Sequence, residues 1–233
     1  MSYTIKRVIS NVPKDKVFGD HAVCMGISLD NPHFRPEPLA GILEFVAERF
    51  ANCLVFIGDY LYRYDLELIG KTDGDPLTSA VERGAAFLRE AAPIFHRFEH
   101  RVNFDLVRLS SLVNQPEFSD AVLEIRNLYR INPSFRKSLH STAESFVARK
   151  ERRGMTLAVS RCEAVMLSVR YLIEEIAFYK ILGDMGHRVE LYPGSELPIL
   201  RQIIRGEIRG APESLVSRSF IELKQKENTP CIY

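Results

Sequence analysis

The sequence predicts an α/β fold built around a parallel sheet. Three observations carry this expectation. Nearly continuous apolar runs of strand length alternate with stretches of helical spacing. The first two runs, HAVCMGISL and NCLVFIGDYLY, flank a helical segment in the order of a βαβ unit. Further strand and helix candidates then follow to the end of the chain.

Taken in order, TIKRVIS is β-rich and reads as an edge strand. HAVCMGISL lacks polar alternation, as a strand covered on both faces should. The prolines Pro32, Pro36 and Pro38 predict a turn. LAGILEFVAERF repeats apolar residues at helical spacing, and NCLVFIGDYLY ends near Gly58 and Asp59. KTDGDP is a loop. Residues 77–100 read as a helix that Pro93 kinks or divides. VNFDLVRLSSL is a third sheet strand. Residues 116–131 and 134–150 are two amphipathic helices split at Asn132-Pro133. RKERRG reads as a charged hinge into a long apolar helix over 156–184. HRVELYP is a fourth strand, 197–209 a helix, SFIELKQ the last strand, and ENTPCIY a loose tail. One domain spanning 1–233 is expected.

The 233 residues are 46% apolar and 26% charged, an ordinary globular balance. The formal charge of +1 neither favours nor disfavours a nucleic-acid partner, because a neutral total can hide a one-sided distribution. The cysteines, Cys24, Cys53, Cys162 and Cys231, form no CxxC pair and no metal spacing with histidine. No signal peptide or membrane span is legible, so a reducing cytoplasm is the expected compartment.

In a parallel sheet, ligands sit beyond the carboxyl ends of the strands. Ser28, Asp59 and Tyr192 fall near such ends. Ser28 is placed to act as a nucleophile or as a plain loop cap. GISLDN is not the GxSxG elbow of serine hydrolases. Neither GxGxxG nor GxxxxGK is present, so phosphate-cradling glycines are missing. Tyr171 and Glu175 stand four apart on one helical face that Phe178 continues. A carboxylate among such neighbours is desolvated and can grip an ammonium or trade protons; the same pair could also be a solvated helix edge. His96 and His100 lack a third ligand and read as surface residues. Basic residues cluster over 126–153 and recur along 83–101 and 201–209, where they could hold phosphates.

The ordered set of GISLDN with Phe34, then Tyr171 and Glu175, then Tyr192, resembles the tRNA-dependent cyclodipeptide synthases from about residue 20 to 225. The resemblance implies a Rossmann-like parallel sheet flanked by helices, similar to the catalytic domain of class I tyrosyl- and tryptophanyl-tRNA synthetases. It implies two aminoacyl-tRNAs as substrates, a cyclic dipeptide (2,5-diketopiperazine) as product, no ATP, no cofactor or metal, and a monomer. By position, Ser28 would be the nucleophile in a ping-pong sequence. Tyr171 and Glu175 would hold the α-amino group, with Glu175 as general base. The amine of a second aminoacyl-tRNA would attack the Ser28 ester to give a dipeptidyl-enzyme, and Tyr192 would assist proton transfer.

Substrate contacts are expected at Cys24, Gly26, Asn31, Asp59, Phe178 and Pro193. Contacts to tRNA are expected at Arg83, Arg89, Arg97, Arg101, Arg149, Lys150, Arg152 and Arg153. Tyr192-Pro193 matches the family's Tyr-Pro subgroup, while Asn31 matches the other. A non-catalytic tRNA- or nucleotide-binding module and a tRNA-independent serine hydrolase or acyltransferase remain the alternatives.

Overall fold

The computed structural model describes residues 1–19, 22–70 and 74–226. In chain order its elements are β1 (Tyr3–Ile9), α1 (Lys14–Gly19), β2 (Ala22–Ile27), α2 (Pro36–Ala47), β3 (Asn52–Ile57), α3 (Asp59–Ile69), α4 (Pro76–His96), β4 (Asn103–Arg108), α5 (Pro116–Ile131), α6 (Pro133–Arg152), α7 (Arg161–Asp184), β5 (Val189–Tyr192), α8 (Pro198–Ile204), α9 (Glu213–Val216) and β6 (Ser219–Gln225).

The six strands form one sheet in the order β1-β6-β5-β2-β3-β4. Four neighbouring pairs are parallel, and β1 alone runs antiparallel, against β6. The sheet is therefore mixed at one edge, where the sequence predicted parallel strands. The expected α/β architecture stands: a six-stranded sheet with helices on both faces.

Strand β2 is apolar throughout because both its faces are covered. Val23, Met25 and Ile27 pack with α2 and α4 residues such as Leu39, Ile42, Phe87 and Phe95. Cys24 packs with Leu54, Phe56 and the α5–α7 residues Ile125, Ile176 and Phe178. With β5 on one side and β3 on the other, β2 lies where the chain direction of the sheet order reverses. In doubly wound sheets this switch point opens a crevice at the carboxyl ends of the strands.

Several expected boundaries move, each for a local reason. Pro36 and Pro38 sit in the first turn of α2, where a missing N–H costs nothing, rather than in a turn. Pro93 does not divide α4, since it falls in the last turn. The expected hinge at 149–154 is largely the end of α6, which Gly154 terminates at φ 76°. Helix α7 starts at Arg161, not 156, because Ser160 and Glu163 form a capping box. The helix expected over 197–209 stops at Ile204, with Gly206 at φ 71° just beyond. Helices α1, α3 and α9 were not legible. Of the expected loop at 71–76, residues 71–73 lie outside the described residues, as does the whole tail 227–233 with Cys231.

Candidate active site

The polar break after β2 has a defined shape. Gly58 N–H donates to the Ile27 carbonyl at 2.9 Å, the last step of the β2–β3 ladder. The chain then turns, with Asn31 N–H donating to the Ser28 carbonyl at 3.0 Å. This leaves Ser28 exposed at the strand end. Its Oγ lies 3.0 Å from the Tyr192 hydroxyl, which rises from the end of β5.

Asn31 completes this cluster. Its Oδ1 accepts from His33 N–H at 3.1 Å, which directs its Nδ2 to donate to the Tyr192 hydroxyl at 2.9 Å. Because the Tyr192 oxygen accepts from Asn31, its own proton is free to point at Ser28. Burial raises the Tyr192 pKa, and the bonds to Ser28 and Asn31 oppose that rise. Phe34 packs edge-on against the Tyr192 ring at 5.8 Å.

Helix α7 brings the second half. Tyr171 donates to Glu175 Oε1 at 3.0 Å. Its ring is stacked on Phe146 of α6 and meets Tyr64 of α3 edge-on. The other carboxyl oxygen, Glu175 Oε2, is buried with no hydrogen-bond partner. Desolvation pushes the Glu175 pKa up to about 8; Glu190 and Asp65 add to the rise, and the Tyr171 hydroxyl opposes it. A buried carboxyl with one idle oxygen suits a cationic guest, which would supply the missing hydrogen bond and draw the group into its charged form.

The remaining expected contacts fall at different depths. Cys24 is fully buried, 3.5 Å from Arg218 Nη2, and burial lifts its pKa to about 11. Arg218 also reaches Glu190 at 3.3 Å, whose other oxygen accepts from Tyr179 at 2.9 Å. Gly26 carries the Phe56 ring where a side chain would be; an added Cβ would meet Phe56 Cε2 at 2.7 Å. Phe178 stacks on Phe118, with centroids 4.6 Å apart. Pro193 is buried directly after Tyr192.

Asp59 does not face the crevice. It is 0% exposed and accepts from the N–H of Tyr60 and of Ser110, the Ser110 hydroxyl and Arg108 Nε. Both oxygens are saturated, so Asp59 ties β3 to the end of β4 instead of meeting a ligand.

Among the basic residues, Arg89, Arg97, Arg149, Arg152 and Arg153 are exposed. Arg83 is half-buried, 3.7 Å from Glu90, and Arg101 pairs with Glu44 at 2.8 Å. Lys150 is not on the open surface: it lies 2.8 Å from Asp65 and over the Phe146 ring that supports Tyr171. Glu174, neighbour of Glu175, is buried against Arg63 at 2.6 Å and the Tyr64 hydroxyl at 2.9 Å.

Sequence reasoning missed the support layer of Phe146, Tyr64, Asp65 and Arg218. Spacing within a single element carries no signal for contacts made between α3, α6, α7 and the residue just before β6.

A serine, a tyrosine and a desolvated carboxyl at the switch point of an α/β sheet are groups with the chemistry that acyl transfer needs. The family model for cyclodipeptide synthases matches residues 15–209, and the chain belongs to that family of tRNA-dependent aminoacyltransferases. Among curated proteins, none matches the chain in sequence. Solved structures share the fold. A cyclodipeptide synthase from Fluoribacter dumoffii superposes with a TM-score of 0.79 at 18% identity, covering 97% of this chain and 98% of that one. A Mycobacterium tuberculosis protein, described as demonstrating that such enzymes are related to type I tRNA synthetases, gives 0.66 at 12% identity, covering 94% and 93%. A synthase from Candidatus Glomeribacter gigasporarum, solved bound to Phe-tRNAPhe, gives 0.66 at 14% identity, covering 91% of each chain.

Proposed function

We propose that the chain makes a cyclic dipeptide from two aminoacyl-tRNAs by a ping-pong sequence of esters on Ser28. The observation that carries this reading is the approach of Tyr192 and Asn31 to an exposed Ser28, with the idle oxygen of Glu175 as a seat for an α-amino group.

Ser28 Oγ attacks the aminoacyl ester, and the tRNA hydroxyl leaves with the proton that Oγ gives up. The ester is already activated, so positioning and proton transfer supply the catalysis. The α-amino group of the bound residue rests on Glu175 and Tyr171. For the dipeptide to remain on Ser28, this amine must attack the second aminoacyl ester; Glu175 takes the amine's proton, the acyl C–O bond breaks, and the second tRNA leaves with a protonated ribose hydroxyl. Attack in the opposite sense, the direction expected from sequence, would release Ser28 and leave the dipeptide on tRNA. The new terminal amine then closes on the Ser28 ester. The ring forms, and Tyr192 returns a proton to Oγ.

This reading places the chain in the Tyr-Pro subgroup, with Asn31 retained as the residue that aims the Tyr192 hydroxyl. It treats residues 1–233 as one domain that works as a cytoplasmic monomer without ATP. Exposed Arg89, Arg97, Arg149, Arg152 and Arg153 are its surface contacts to tRNA. Among the described residues no histidine bonds Ser28, which disfavours a hydrolase of the Ser-His type.

The test is incubation with charged tRNAs, followed by mass spectrometry of both product and intact protein. The wild-type chain should yield a diketopiperazine and a protein heavier by one aminoacyl group. Ser28→Ala should lose both, with turnover down on the order of 10⁴-fold or more. Full activity in that variant would end the nucleophile assignment.

A further inference from the structure

Two buried carboxylates flank the tyrosine that meets Ser28. Glu222 of β6 is the lateral partner of Tyr192 in β5, and Arg7 of β1 is the partner of Glu222 on its other side. Residues paired across strands share one face of a sheet, so Tyr192, Glu222 and Arg7 stand in a row. Strand β1 carries a bulge between Ile5 and Arg7, where Lys6 has no opposite number on β6. A bulge re-aims side chains, and here it turns two consecutive cations onto one carboxylate. Lys6 Nζ lies 2.8 Å from Glu222 Oε1, and Arg7 Nη2 and Nε lie 2.8 and 3.1 Å from Oε2.

The second carboxylate, Glu196, belongs to the turn that follows Tyr192. Its side chain is 0% exposed and accepts from Arg7 Nη2 at 2.6 Å and from Arg201 of α8. Ser195 donates to Glu222 Oε1 at 3.1 Å, so two consecutive residues of the turn are tied down. The turn leans on the tyrosine: a Cβ added to Gly194 would stand 3.0 Å from Tyr192 Cε1. Phe34 meets the same ring edge-on. Among the described residues Arg7 alone bonds both carboxylates. Glu196 Oε2 and Glu222 Oε2 share one nitrogen, Arg7 Nη2, and without it two buried like charges would repel each other across the foot of the turn.

We propose that Arg7 is a positioning residue for the acyl transfer: by holding Glu222 and Glu196 together it fixes the turn against the Tyr192 ring, and so keeps the Tyr192 hydroxyl 3.0 Å from Ser28 Oγ. The proposal rests on the acyl-transfer reading of Ser28. Arg7 acts through Tyr192 and not on the reacting atoms. A guanidinium suits this post because its fork presents separate N–H groups to two acceptors at once, which an ammonium on a flexible stem does less well. Lys6 and Arg201 serve one carboxylate each, so Lys6 secures the strand and Arg201 the turn, but neither fixes the one to the other.

The test is a double-mutant cycle on kcat and KM for cyclic dipeptide formation from charged tRNA. Arg7→Met should lower kcat roughly ten- to a hundredfold and leave KM unchanged, because a displacement of about 1 Å at the tyrosine is enough to cost that much. In the Tyr192→Phe background the same substitution should cost less than about twofold, since the hydroxyl that Arg7 positions is already gone. A residue that served the fold alone would slow both backgrounds by the same factor. Arg7→Lys should fall between the wild type and Arg7→Met. Circular dichroism and urea unfolding report whether each variant is folded. If Arg7→Met does not fold, the cycle is run with Arg7→Lys, whose loss should likewise vanish beside Tyr192→Phe. A wild-type rate in the Arg7 variant, or equal losses in the two backgrounds, would overturn the proposal. A wild-type chain that forms neither acyl-enzyme nor product would remove the reading of Ser28 itself, and the proposal with it.

Discussion

Glu175 should make the stability of this protein fall as the pH rises, and Glu175→Gln should abolish that dependence. Burial lifts its pKa from an ordinary 4.5 to about 8. The folded chain therefore keeps a proton on this carboxyl where the unfolded chain releases it. Below about pH 4.5 both states are protonated, and the stability of the neutral group is fully present. Between 4.5 and 8 the folded state holds the extra proton, and stability is lost at up to ~1.4 kcal/mol per pH decade. Above 8 both states are ionised and the loss levels off, at roughly 5 kcal/mol in total. Glutamine keeps the shape and the bond from Tyr171 but cannot ionise. The assay is urea unfolding of both proteins between pH 4 and 9.5. The wild-type chain should lose stability relative to the variant across that window, in the direction stated. A difference that stays constant with pH would refute the desolvated-carboxyl account of this site.

Three further outcomes follow from other contacts. Tyr192→Phe removes the hydroxyl shared by Ser28 and Asn31 and should slow cyclic dipeptide formation by about 10²–10⁴-fold, while Asn31→Ala, which loses the bond to Tyr192 and the one from His33 N–H but keeps the tyrosine hydroxyl beside Ser28, should cost about tenfold; quenched-flow measurement of acyl-enzyme and product separates the two. Arg218→Met leaves Glu190 buried without its cation and should destabilise the fold by about 3–5 kcal/mol in urea titration, a loss that the double variant Arg218→Met/Glu190→Leu should largely recover. Gly84→Ala places a methyl 2.4 Å from Asp59 Cβ, pushing α4 away from α3, and should cost about 1–3 kcal/mol by thermal unfolding.

The inner strands were legible because burial on both faces removes polar alternation, so AVCMGI and NCLVFI announced themselves. The α7 pair was legible because a spacing of four fixes a shared face whatever the tertiary fold. Helix α3 was not, since its first residues, DYLY, continue the apolar run of β3 and the change of period has no proline or cap to mark it. The antiparallel pairing of β1 was invisible, because a strand's direction is set by the chain that joins it, not by its own residues. Asp59 misled for a related reason. A carboxylate after a parallel strand looks like a ligand contact, and only the positions of Arg108 and Ser110 show that its bonding capacity is already spent within the fold. Lys150 misled in the same way: it sits in a basic run, but Asp65 comes from another helix.

The hydrogen bond between Ser28 and Tyr192 joins residues 164 positions apart. Strand β2 receives its β3 neighbour within thirty residues, but its other edge waits for β5 at Val189–Tyr192. During synthesis, an apolar strand thus emerges early and keeps one bare edge until four-fifths of the chain has been made. That interval is a hazard for edge-to-edge association. It also means that no shortened chain that stops before β5 can bring the Tyr192 hydroxyl beside Ser28, so this pair of side chains exists only once nearly the whole sheet has been made.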